Sequence, residues 1–509
     1  MRSGCMNPST AIRRLARIDG RRTAIVADGR TLSFAELDHT VDALAGTLRQ
    51  AGVGRGDRVG YLGLNSALFL QTLLATARLG AVFVPVNFRL TATEVEQIQR
   101  DSDWQLVIAE DEQRDLVAAL PPIRCLFRAE LDLDAASTVV DVETDPAEIA
   151  IIMYTSGTTG APKGVVLSYA NLWWNQANVA HALAADCYAA SLAVAPLFHI
   201  GGLNAFVLGT LTRGGTVVVH RRFDAGQCLR DLERYRITST FMVPTMFDAL
   251  RQHADWSSTD LTSLSSAIVA GAPVPPGLVL AYVADGIPLQ QAWGLTETAP
   301  FACHLPPAYA QSHPASTGYP MPYSEVGVLT ADGQVVSTAD IEGELCVRGP
   351  QVTSGYWRDA AATTAAIDRF GWFRTGDLGR LDSDGRCYVL DRIKDLIISG
   401  GENISPAEVE RVLIDHPDVH DVAVVGVPDK KWGQIVVAAV AGVADIDELR
   451  TFAGARLAGY KLPSEVVPVS AIPRNGSGKI DRPGVRALVW SLSKSGRPSS
   501  PALAATSES

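Results

Sequence analysis

Short apolar runs alternate with segments of helical periodicity through about residue 300. In Leu32–Gly52 the apolar side chains recur at helical spacing, and Ser33 with Glu36 three residues later forms the pattern of an N-terminal capping box. The next segments predict a strand, an apolar helix and a buried strand at Arg58–Leu64, residues 65–81 and Val82–Val86. This alternation is typical of an α/β fold in which helices cross between parallel strands.

The pattern changes near Ser316, where apolar and polar residues alternate between Asp-Gly turns and predict small β-structures. The last part of the chain has its own helices and strands, predicted at Pro406–Asp415, residues 421–429, residues 434–443 and Asp447–Ala458. We therefore predict an N-terminal domain over residues 1–391 and a small α+β domain over residues 392–490. The Ser-, Ala- and Pro-rich residues 491–509 are predicted to be disordered.

Composition narrows the classes of function. The 509 residues are 47% hydrophobic and 19% charged, which suffices for a large core, and the formal net charge of −11 argues against a nucleic-acid partner. The cysteines form no CxxC pair, so neither a disulfide framework nor a structural zinc site is expected. The N-terminus lacks the apolar core of a signal peptide, and the most apolar stretch, Phe69–Val86, is interrupted by Gln71 and Arg78. The sequence thus predicts a cytoplasmic protein without a membrane span.

The Gly-rich stretch YTSGTTGAPKG, at Tyr154–Gly164, follows an apolar run and combines hydroxyl side chains with a lysine. Glycines let the backbone approach a ligand closely, and hydroxyl and backbone N–H groups suit phosphate oxygens. The P-loop pattern requires Ser or Thr after its Gly-Lys pair, but Lys163 lies between Pro162 and Gly164. A second glycine–lysine stretch at Pro473–Asp481 fails the same pattern. The first stretch therefore indicates a phosphate ligand without P-loop chemistry.

Further motifs follow along the chain: PLFHIGG (Pro196–Gly202), GAP (Gly271–Pro273), WGLTE (Trp293–Glu297), GWFRTGD (Gly371–Asp377), DRIKDLIISGGENISP (Asp391–Pro406) and PRNGSGKI (Pro473–Ile480). Together with the Gly-rich loop, and in this order, they resemble the signature motifs of the adenylate-forming enzymes. This family includes acyl-CoA synthetases, aryl-CoA ligases, firefly luciferase and the adenylation domains of peptide synthetases. The resemblance extends over almost the whole chain. It implies a large N-terminal domain of stacked α/β subdomains with a β-barrel-like subdomain, followed by a small, mobile α+β domain.

The resemblance also implies an ATP site. Its triphosphate clamp would comprise Thr155, Ser156, Gly157, Thr158, Thr159, Gly160 and Lys163. Thr296 would contact the α-phosphate, and Glu297 would help to hold Mg²⁺, which prefers few carboxylates together with phosphate oxygens. Asp377 would accept hydrogen bonds from the ribose, with Arg392 as a second ribose or phosphate contact, although Asp391 stands where the family most often has glycine. The purine would lie along Gly271, Ala272, Pro273, Trp293 and Gly294, with a core aromatic as the alternative for Trp293.

Lys479 is the catalytic residue that the resemblance implies for the first half-reaction, beside Glu297 and His199. A lysine on a Gly-rich loop can align the carboxylate with the α-phosphate, and the carboxylate is already ionised at neutral pH, so no general base is needed. Lys394 stands at the family's hinge position. Ser399, Gly400 and Gly401 resemble the segment that lines the coenzyme A tunnel, and they would equally form a plain tight turn. His199 corresponds to a gate between the acyl site and the thiol channel, with a satisfied buried histidine as the alternative.

The acyl pocket that the resemblance implies is uncharged: Phe198, Gly202, Asn204, Val243 and Ala299. A dicarboxylic acid or an amino acid would need a buried charged residue to pair with its second charged group, so the uncharged pocket disfavours both classes. Because Gly201 and Gly202 leave room for a bulky acid, fatty, aryl and polycyclic acids all fit. The predicted function is an ATP-dependent acyl-CoA synthetase that uses ATP, Mg²⁺ and coenzyme A, forms acyl-AMP with release of pyrophosphate, and transfers the acyl group to coenzyme A. Loading of a carrier protein in trans, a luciferase-type oxygenase, a non-catalytic adenylate-binding protein and a homodimer stay open.

Overall fold

The computed structural model of the chain describes residues 6–155, 162–400, 402–442, 446–474 and 479–495. The chain divides into two compact units. The first comprises Met1–Thr375 together with Gly379–Val389, and the second comprises Gly376–Leu378 together with Leu390–Ser509. Each unit is built around its own hydrophobic clusters.

The first unit opens with helices and strands that alternate as the sequence predicts. In chain order they are α1 (Pro8–Asp19), β1 (Thr23–Ala27), β2 (Arg30–Ser33), α2 (Phe34–Gln50), β3 (Arg58–Leu62), α3 (Ala67–Leu79), β4 (Val82–Val86), α4 (Ala92–Ser102), β5 (Leu106–Ala109), α5 (Arg114–Ala118), β6 (Arg124–Phe127), β7 (Ile149–Thr155), β8 (Lys163–Ser168) and α6 (Tyr169–Ala182). The predicted capping box is present, because the N–H of Glu36 donates to the hydroxyl of Ser33 at 3.2 Å and the N–H of Ser33 donates back to the Glu36 carboxylate at 2.7 Å.

A six-stranded sheet forms the first layer, in the order β6-β5-β3-β4-β7-β8. Its strands are parallel except for β8, which pairs antiparallel with β7. The helix α3 is buried along its length although it contains Arg78. The Arg78 guanidinium pairs with Asp38 at 2.5 Å and Asp42 at 2.7 Å, which compensates the buried charge. No helix in the described part of the chain is both long enough and apolar enough to cross a bilayer.

A nine-stranded sheet forms the second layer, and it carries most of the predicted site segments. Its further elements are β9 (Ala190–Ala193), α7 (Ile200–Asn204), α8 (Val207–Thr212), β10 (Thr216–Val219), α9 (Ala225–Arg234), β11 (Ser239–Met242), α10 (Pro244–Gln252), β12 (Ser266–Val269), α11 (Pro276–Ala284), β13 (Leu289–Gly294), β14 (Phe301–His304), α12 (Pro307–Ala310) and β15 (Tyr319–Pro320). The strand order is β15-β14-β13-β12-β11-β9-β10-β1-β2. The strands from β13 to β1 are parallel, which confirms the predicted α/β class. The strands β2, β14 and β15 pair antiparallel with their neighbours. The connection between Ala27 of β1 and Arg30 of β2 is too short for the crossover that parallel strands need.

The β-rich region predicted after Ser316 forms a five-stranded sheet in the order β17-β16-β18-β19-β20. Its elements are β16 (Glu325–Leu329), β17 (Val335–Val336), β18 (Gly343–Arg348), α13 (Ala360–Ala366), β19 (Phe373–Leu381) and β20 (Cys387–Arg392). The strand β16 pairs antiparallel with both β17 and β18.

The second unit has the predicted α+β composition. Its elements are β21 (Ile397–Ser399), β22 (Glu402–Ile404), α14 (Pro406–Ile414), β23 (Val419–Asp429), β24 (Gly433–Gly442), α15 (Ile446–Gly454), β25 (Glu465–Pro468) and α16 (Arg482–Ser495). The helix predicted to reach Ala458 ends at Gly454, and a turn follows in which the N–H of Arg456 donates to the carbonyl of Ala453 at 2.9 Å. The helix α16 extends past residue 490, because Val485 and Val489 bury its inner face, so it includes the first residues of the predicted tail. Residues 496–509 lie outside the described residues.

Candidate active site

Three predicted site segments follow parallel strands of the nine-stranded sheet. Gly271–Pro273 follows β12, Thr296 and Glu297 follow β13, and His199 lies between β9 and α7. Parallel strands present their carboxyl ends at one edge of a sheet, and ligands of open α/β sheets bind at that edge. The topology therefore gathers segments that are far apart in the chain.

The Gly-rich loop joins β7 to β8. Thr155, the last residue of β7, pairs with Lys163, the first residue of β8. The predicted phosphate contacts between them, Ser156, Gly157, Thr158, Thr159 and Gly160, lie outside the described residues. Tyr154 donates its hydroxyl proton to the Asp101 carboxylate at 2.5 Å, and burial together with this bond raises the pKa of Tyr154. The base of the loop is thus tied to the end of α4 by a hydroxyl that stays protonated.

The segment Thr353–Arg358 runs beside the start of β8. The N–H of Trp357 donates to the carbonyl of Gly164 at 2.7 Å, and the N–H of Thr353 donates to the carbonyl of Glu297 at 2.8 Å. The segment therefore connects the end of the Gly-rich loop with the turn that carries the predicted metal ligand.

Glu297 and Lys163, two predicted site residues, meet through a side chain that the sequence did not single out. The Tyr356 hydroxyl donates to Oε1 of Glu297 at 2.9 Å, and Nζ of Lys163 lies 5.3 Å from the centre of the Tyr356 ring. Glu297 is 9% exposed. The sequence signal for Tyr356, a tyrosine between Gly355 and Trp357, is too common to indicate a site.

The donor chemistry at Glu297 fits Mg²⁺. This ion takes oxygen ligands in octahedral geometry and is commonly held by one or two carboxylates with substrate phosphates. Glu297 supplies a buried carboxylate, and a hydroxyl donor orients it. Thr296 precedes it and is half-buried. Glu297 would thus hold the ion together with phosphate oxygens of the nucleotide.

The predicted purine strip is partly open. Gly271 is exposed and has a φ of 86°, a conformation that favours glycine, and an added Cβ would contact Cγ1 of Val243 at 3.5 Å. Ala272 is half-buried and Pro273 is exposed. Their purine contact stays a prediction.

Trp293 and Gly294 are held by packing. Trp293 is 8% exposed and belongs to a core cluster with Cys303 and Leu345, which explains it as a core aromatic. An added Cβ on Gly294 would lie 1.9 Å from the carbonyl oxygen of Pro300, so only glycine fits there. Stacking of adenine on Trp293 stays a prediction.

Two aromatic residues and His199 form the start of the predicted acyl side. The Phe198 ring is 4% exposed and lies 4.5 Å from the His199 ring and 5.7 Å from the Phe88 ring, measured between centres. His199 is half-buried and precedes α7. This position is compatible with a gate, which stays a prediction.

The expectation that Gly201 and Gly202 leave space for a bulky acid is wrong, because other atoms of the protein fill the space next to both glycines. An added Cβ on Gly201 would lie 2.5 Å from Cζ of Phe241, and one on Gly202 would lie 2.2 Å from the carbonyl oxygen of Pro196. Gly201 therefore accommodates an aromatic ring, and Gly202 accommodates backbone. Both glycines serve close packing of α7.

Asn204 and Ala299 are fully buried. The Asn204 side chain donates to the carbonyls of Ala299 at 2.7 Å and Leu172 at 3.2 Å, and it accepts from Gln176 at 3.1 Å. Its visible role is to hold the chain after β13, where Ala299 has a φ of 61°. Contact of either residue with the acid stays a prediction.

Asp377 and Arg392, the predicted ribose contacts, lie together in the second unit. Their side chains form an ion pair at 2.7 Å, and Asp377 is 3% exposed. The unusual Asp391 has a structural role, because its carboxylate accepts from the Ser405 hydroxyl at 2.5 Å and from the N–H of Ala407 at 2.9 Å. These bonds cap the start of α14, and the contact of Arg392 with the ribose or phosphate stays a prediction.

The remaining predicted residues belong to the second unit. Lys479 and Lys394 are exposed, and Lys394 lies in the helical turn Ile393–Asp395 that follows β20. Gly400 follows the half-buried Ser399, and an added Cβ on Gly400 would lie 2.8 Å from the Trp432 ring. This close approach explains the glycine by packing, and its contact with coenzyme A stays a prediction. Gly401 lies outside the described residues.

Two family models match the chain. The model of the AMP-binding enzymes matches residues 12–357, and the model of the AMP-binding enzyme C-terminal domain matches residues 408–479. The first match alone covers more than half of the chain.

Three curated relatives are CoA ligases or synthases. A feruloyl-CoA synthase of Amycolatopsis is 42% identical over 93% of this chain and 97% of its own length. An indoleacetate–CoA ligase of Aromatoleum aromaticum is 39% identical, with coverages of 95% and 98%. A long-chain-fatty-acid–CoA ligase of Mycobacterium tuberculosis is 36% identical, with coverages of 88% and 91%.

The o-succinylbenzoate CoA synthetase of Bacillus subtilis has a closely similar fold. Its complex with the acyl-adenylate intermediate superposes with a TM-score of 0.87 at 32% identity, covering 94% of this chain and 97% of that chain. Its complex with ATP and magnesium gives a TM-score of 0.85 at 32% identity, with coverages of 93% and 98%. The fold class predicted from the motifs is thereby confirmed. This chain belongs to the family of AMP-binding enzymes.

Proposed function

We propose that this chain is an AMP-forming CoA ligase whose substrate is an apolar carboxylic acid that carries an aromatic ring. The ligase class predicted from the sequence, with ATP, Mg²⁺ and coenzyme A, is confirmed by the family and its relatives. The identity of the acid is the new part of the proposal. The carrying observation is the partly exposed ring of Phe241, which packs directly on Gly201, two residues after His199.

The first half-reaction joins the acid to AMP. A carboxylate oxygen attacks the α-phosphorus of ATP, and pyrophosphate leaves. In this proposal the clamp that begins at Thr155 and ends at Lys163 holds the departing phosphates, and Thr296 contacts the α-phosphate. Mg²⁺, when bound, neutralises charge on the phosphate oxygens. Lys479 aligns the carboxylate with the α-phosphate, and alignment of this kind is the main requirement of phosphoryl transfer.

The second half-reaction transfers the acyl group to the thiol of coenzyme A, and AMP leaves. We assign Ser399 and Gly400 to the path of the thiol arm and Lys394 to the hinge of the second unit, as the family resemblance implies. Asp377 and Arg392 retain the ribose in this scheme. Their ion pair at 2.7 Å supports this assignment, because it fixes the orientation of the Asp377 carboxylate.

Two observations favour an aromatic acid. Phe241 is partly exposed, and its ring packs against the buried ring of Phe301, with 6.2 Å between the two ring centres. Aromatic rings gain from such offset and edge contacts beyond simple burial. Feruloyl-CoA synthase and indoleacetate–CoA ligase, two of the relatives, carry the names of aromatic acids.

Acid-dependent exchange of labelled pyrophosphate into ATP tests the proposal. The panel contains ferulate, indoleacetate and benzoate beside decanoate and palmitate, and products with coenzyme A are identified by mass. We expect the highest kcat/KM with an aromatic acid. A preference for palmitate would refute the aromatic pocket while keeping the ligase. Exchange with none of a broad set of acids would favour a non-catalytic adenylate-binding protein, and thioester formed only on a carrier protein would exclude coenzyme A as the acceptor.

A further inference from the structure

Tyr356 lies between the two ends of the phosphate-binding region of the first unit. Its hydroxyl donates to Oε1 of Glu297 at 2.9 Å, and its ring lies under Nζ of Lys163 at 5.3 Å. Glu297 follows β13 of the nine-stranded sheet, and Lys163 begins β8 of the six-stranded sheet. A single side chain therefore contacts residues that two different sheets position.

The backbone holds Tyr356 in place from both sides. Tyr356 forms a β-bridge with Val165 in β8, and its N–H donates to the hydroxyl of Thr363 at 3.0 Å. The next residue, Trp357, donates from its indole nitrogen to the carbonyl of Asp101 at 3.1 Å. Because these bonds fix the backbone before and after the ring, the hydroxyl is presented to Glu297 at a defined position.

A hydrogen bond of this kind determines the direction of a carboxylate. A donor on one oxygen of Glu297 fixes the plane of the group and hence the direction of the other oxygen. Mg²⁺ demands near-ideal octahedral geometry, so a carboxylate that is already oriented binds it with a smaller loss of side-chain entropy. Groups that orient metal ligands in this way commonly raise the affinity for the metal by ~10–100-fold.

We propose that Tyr356 is a positioning residue for the metal–nucleotide complex, an inference that rests on the proposed function. The hydroxyl orients Glu297 toward the ion that accompanies ATP. The ring holds the Lys163 ammonium at the end of the Gly-rich loop through a cation–π contact. One side chain thus sets the spacing between the metal carboxylate and the triphosphate lysine.

The two contacts can be separated by substitution. Tyr356→Phe keeps the ring under Lys163 and removes the hydroxyl, whereas Tyr356→Leu removes both contacts. Tyr388→Phe is the matched control, because it removes a tyrosine hydroxyl that donates to a different carboxylate, Asp382, at 3.3 Å in the same unit. Thermal unfolding of each variant shows that the fold is retained.

Calorimetric titration with ATP, without acid or coenzyme A, provides a readout that is independent of turnover. We expect Tyr356→Phe to weaken binding of ATP with Mg²⁺ by about 10- to 100-fold, as for the loss of one hydrogen bond to a charged group, and to leave binding of ATP in EDTA unchanged. Tyr356→Leu weakens both, because Lys163 loses its ring. Tyr388→Phe changes neither.

A double-mutant cycle identifies the route of the effect. In a Glu297→Gln background, Tyr356→Phe should have little further effect on binding with Mg²⁺, because the oriented charge is already gone. Equal weakening with Mg²⁺ and in EDTA, or full additivity in the cycle, would overturn the positioning role and leave the proposed ligase intact. A wild-type protein that binds no ATP under either condition would overturn both proposals.

Discussion

His304 is a buried histidine in β14 whose ring is kept neutral by its surroundings. It is 4% exposed, its Nε2 lies 2.6 Å from Oε1 of Gln290, and burial lowers its pKa to about 4. In the neutral ring Nε2 carries the proton, because the facing amide oxygen is an acceptor. Protonation of the second nitrogen would place a charge in the core beside Cys303, which is also buried.

This histidine predicts a loss of stability in mild acid. An unfolded histidine has a pKa of about 6.5, so between about pH 6.5 and 4 the unfolded chain binds the proton that the folded chain excludes. The contribution of His304 is complete above about pH 6.5 and falls as the pH falls toward 4, by up to about 3 kcal/mol. We expect the urea midpoint of His304→Gln to fall less than that of the wild type between pH 7 and 5. An exposed control, His39→Gln, should keep the wild-type slope, and identical slopes for all three proteins would refute the prediction.

At the residue scale the sequence predicts the reactive groups better than their supports. Glu297 belongs to a motif that can be recognised from five consecutive residues. Tyr356, which orients it, is 59 positions away and makes its contact only after β8 and the segment Thr353–Arg358 have paired. Trp293 shows that a motif can also leave the role of its own residue undecided. Its position in the motif predicts a contact with the ligand, whereas its burial places it in the core.

The helix α7 depends on two adjacent glycines that face different neighbours. Gly202 faces the carbonyl of Pro196 at 2.2 Å from the ideal Cβ, and backbone cannot move without breaking the local structure. Gly201 faces Cζ of Phe241 at 2.5 Å, and a ring can turn aside. The same substitution should therefore have different consequences at the two positions.

We expect Gly202→Ala to destabilise the first unit by at least about 1–3 kcal/mol, the usual cost of overpacking. Gly201→Ala should fold with a smaller loss and should raise KM for bulky aromatic acids, because the displaced Phe241 ring enters their space. Thermal unfolding and pyrophosphate exchange measure the two effects. Gly201→Ala combined with Phe241→Leu should lower the KM for bulky acids again, because the smaller side chain leaves their space, and an unchanged acid profile in Gly201→Ala would exclude Phe241 from the pocket.

The start of the helix α14 is another place where a substitution should lower stability. Asp391 accepts from the Ser405 hydroxyl and from the N–H of Ala407, so it adds to the N-cap that Ser405 already provides. Asp391→Gly, which introduces the residue that resembling enzymes most often have, should lower the stability of α14 by about 1 kcal/mol. Hydrogen exchange of the α14 amides measures this loss. Faster exchange confined to α14 is the expected pattern, and unchanged exchange would show that Ser405 suffices alone.

Helices and strands with a regular apolar pattern can be predicted from the sequence, whereas the pairing of the strands near the edge of a sheet cannot. The capping box at Ser33 and the strand Val82–Val86 are confirmed because local periodicity determines them. The antiparallel strands β14 and β15 depend on connections whose length the pattern does not reveal. A glycine such as Gly201 is ambiguous in the sequence, since it is compatible with space for a ligand and with a close-packed ring.

At the scale of the whole molecule, the two family models fall on the two units. The first model ends at residue 357 within the unit that contains Glu297, and the second spans residues 408–479 within the unit that contains Lys479. The sequence predicts the units that carry Glu297 and Lys479, because the motif order follows the chain, but it does not predict that Asp377 belongs to the second unit. It does not give the contacts that build each unit, such as the buried pairing of Arg78 with Asp38 and Asp42, which join residues about forty positions apart.

The proposed role of Lys479 in adenylation leads to a prediction about the two half-reactions. If this lysine only aligns the carboxylate with the α-phosphate, Lys479→Ala should abolish adenylation, with pyrophosphate exchange reduced by at least about 100-fold. Formation of acyl-CoA from supplied acyl-AMP should remain near the wild-type rate, because no bond to phosphorus is made in that step. Lys430→Ala, which removes another exposed lysine of the second unit, is the control and should retain both activities. A proportional loss of both half-reactions in Lys479→Ala would contradict this prediction. It would mean that the lysine supports the second unit as a whole, and that the two half-reactions share one arrangement of their catalytic groups.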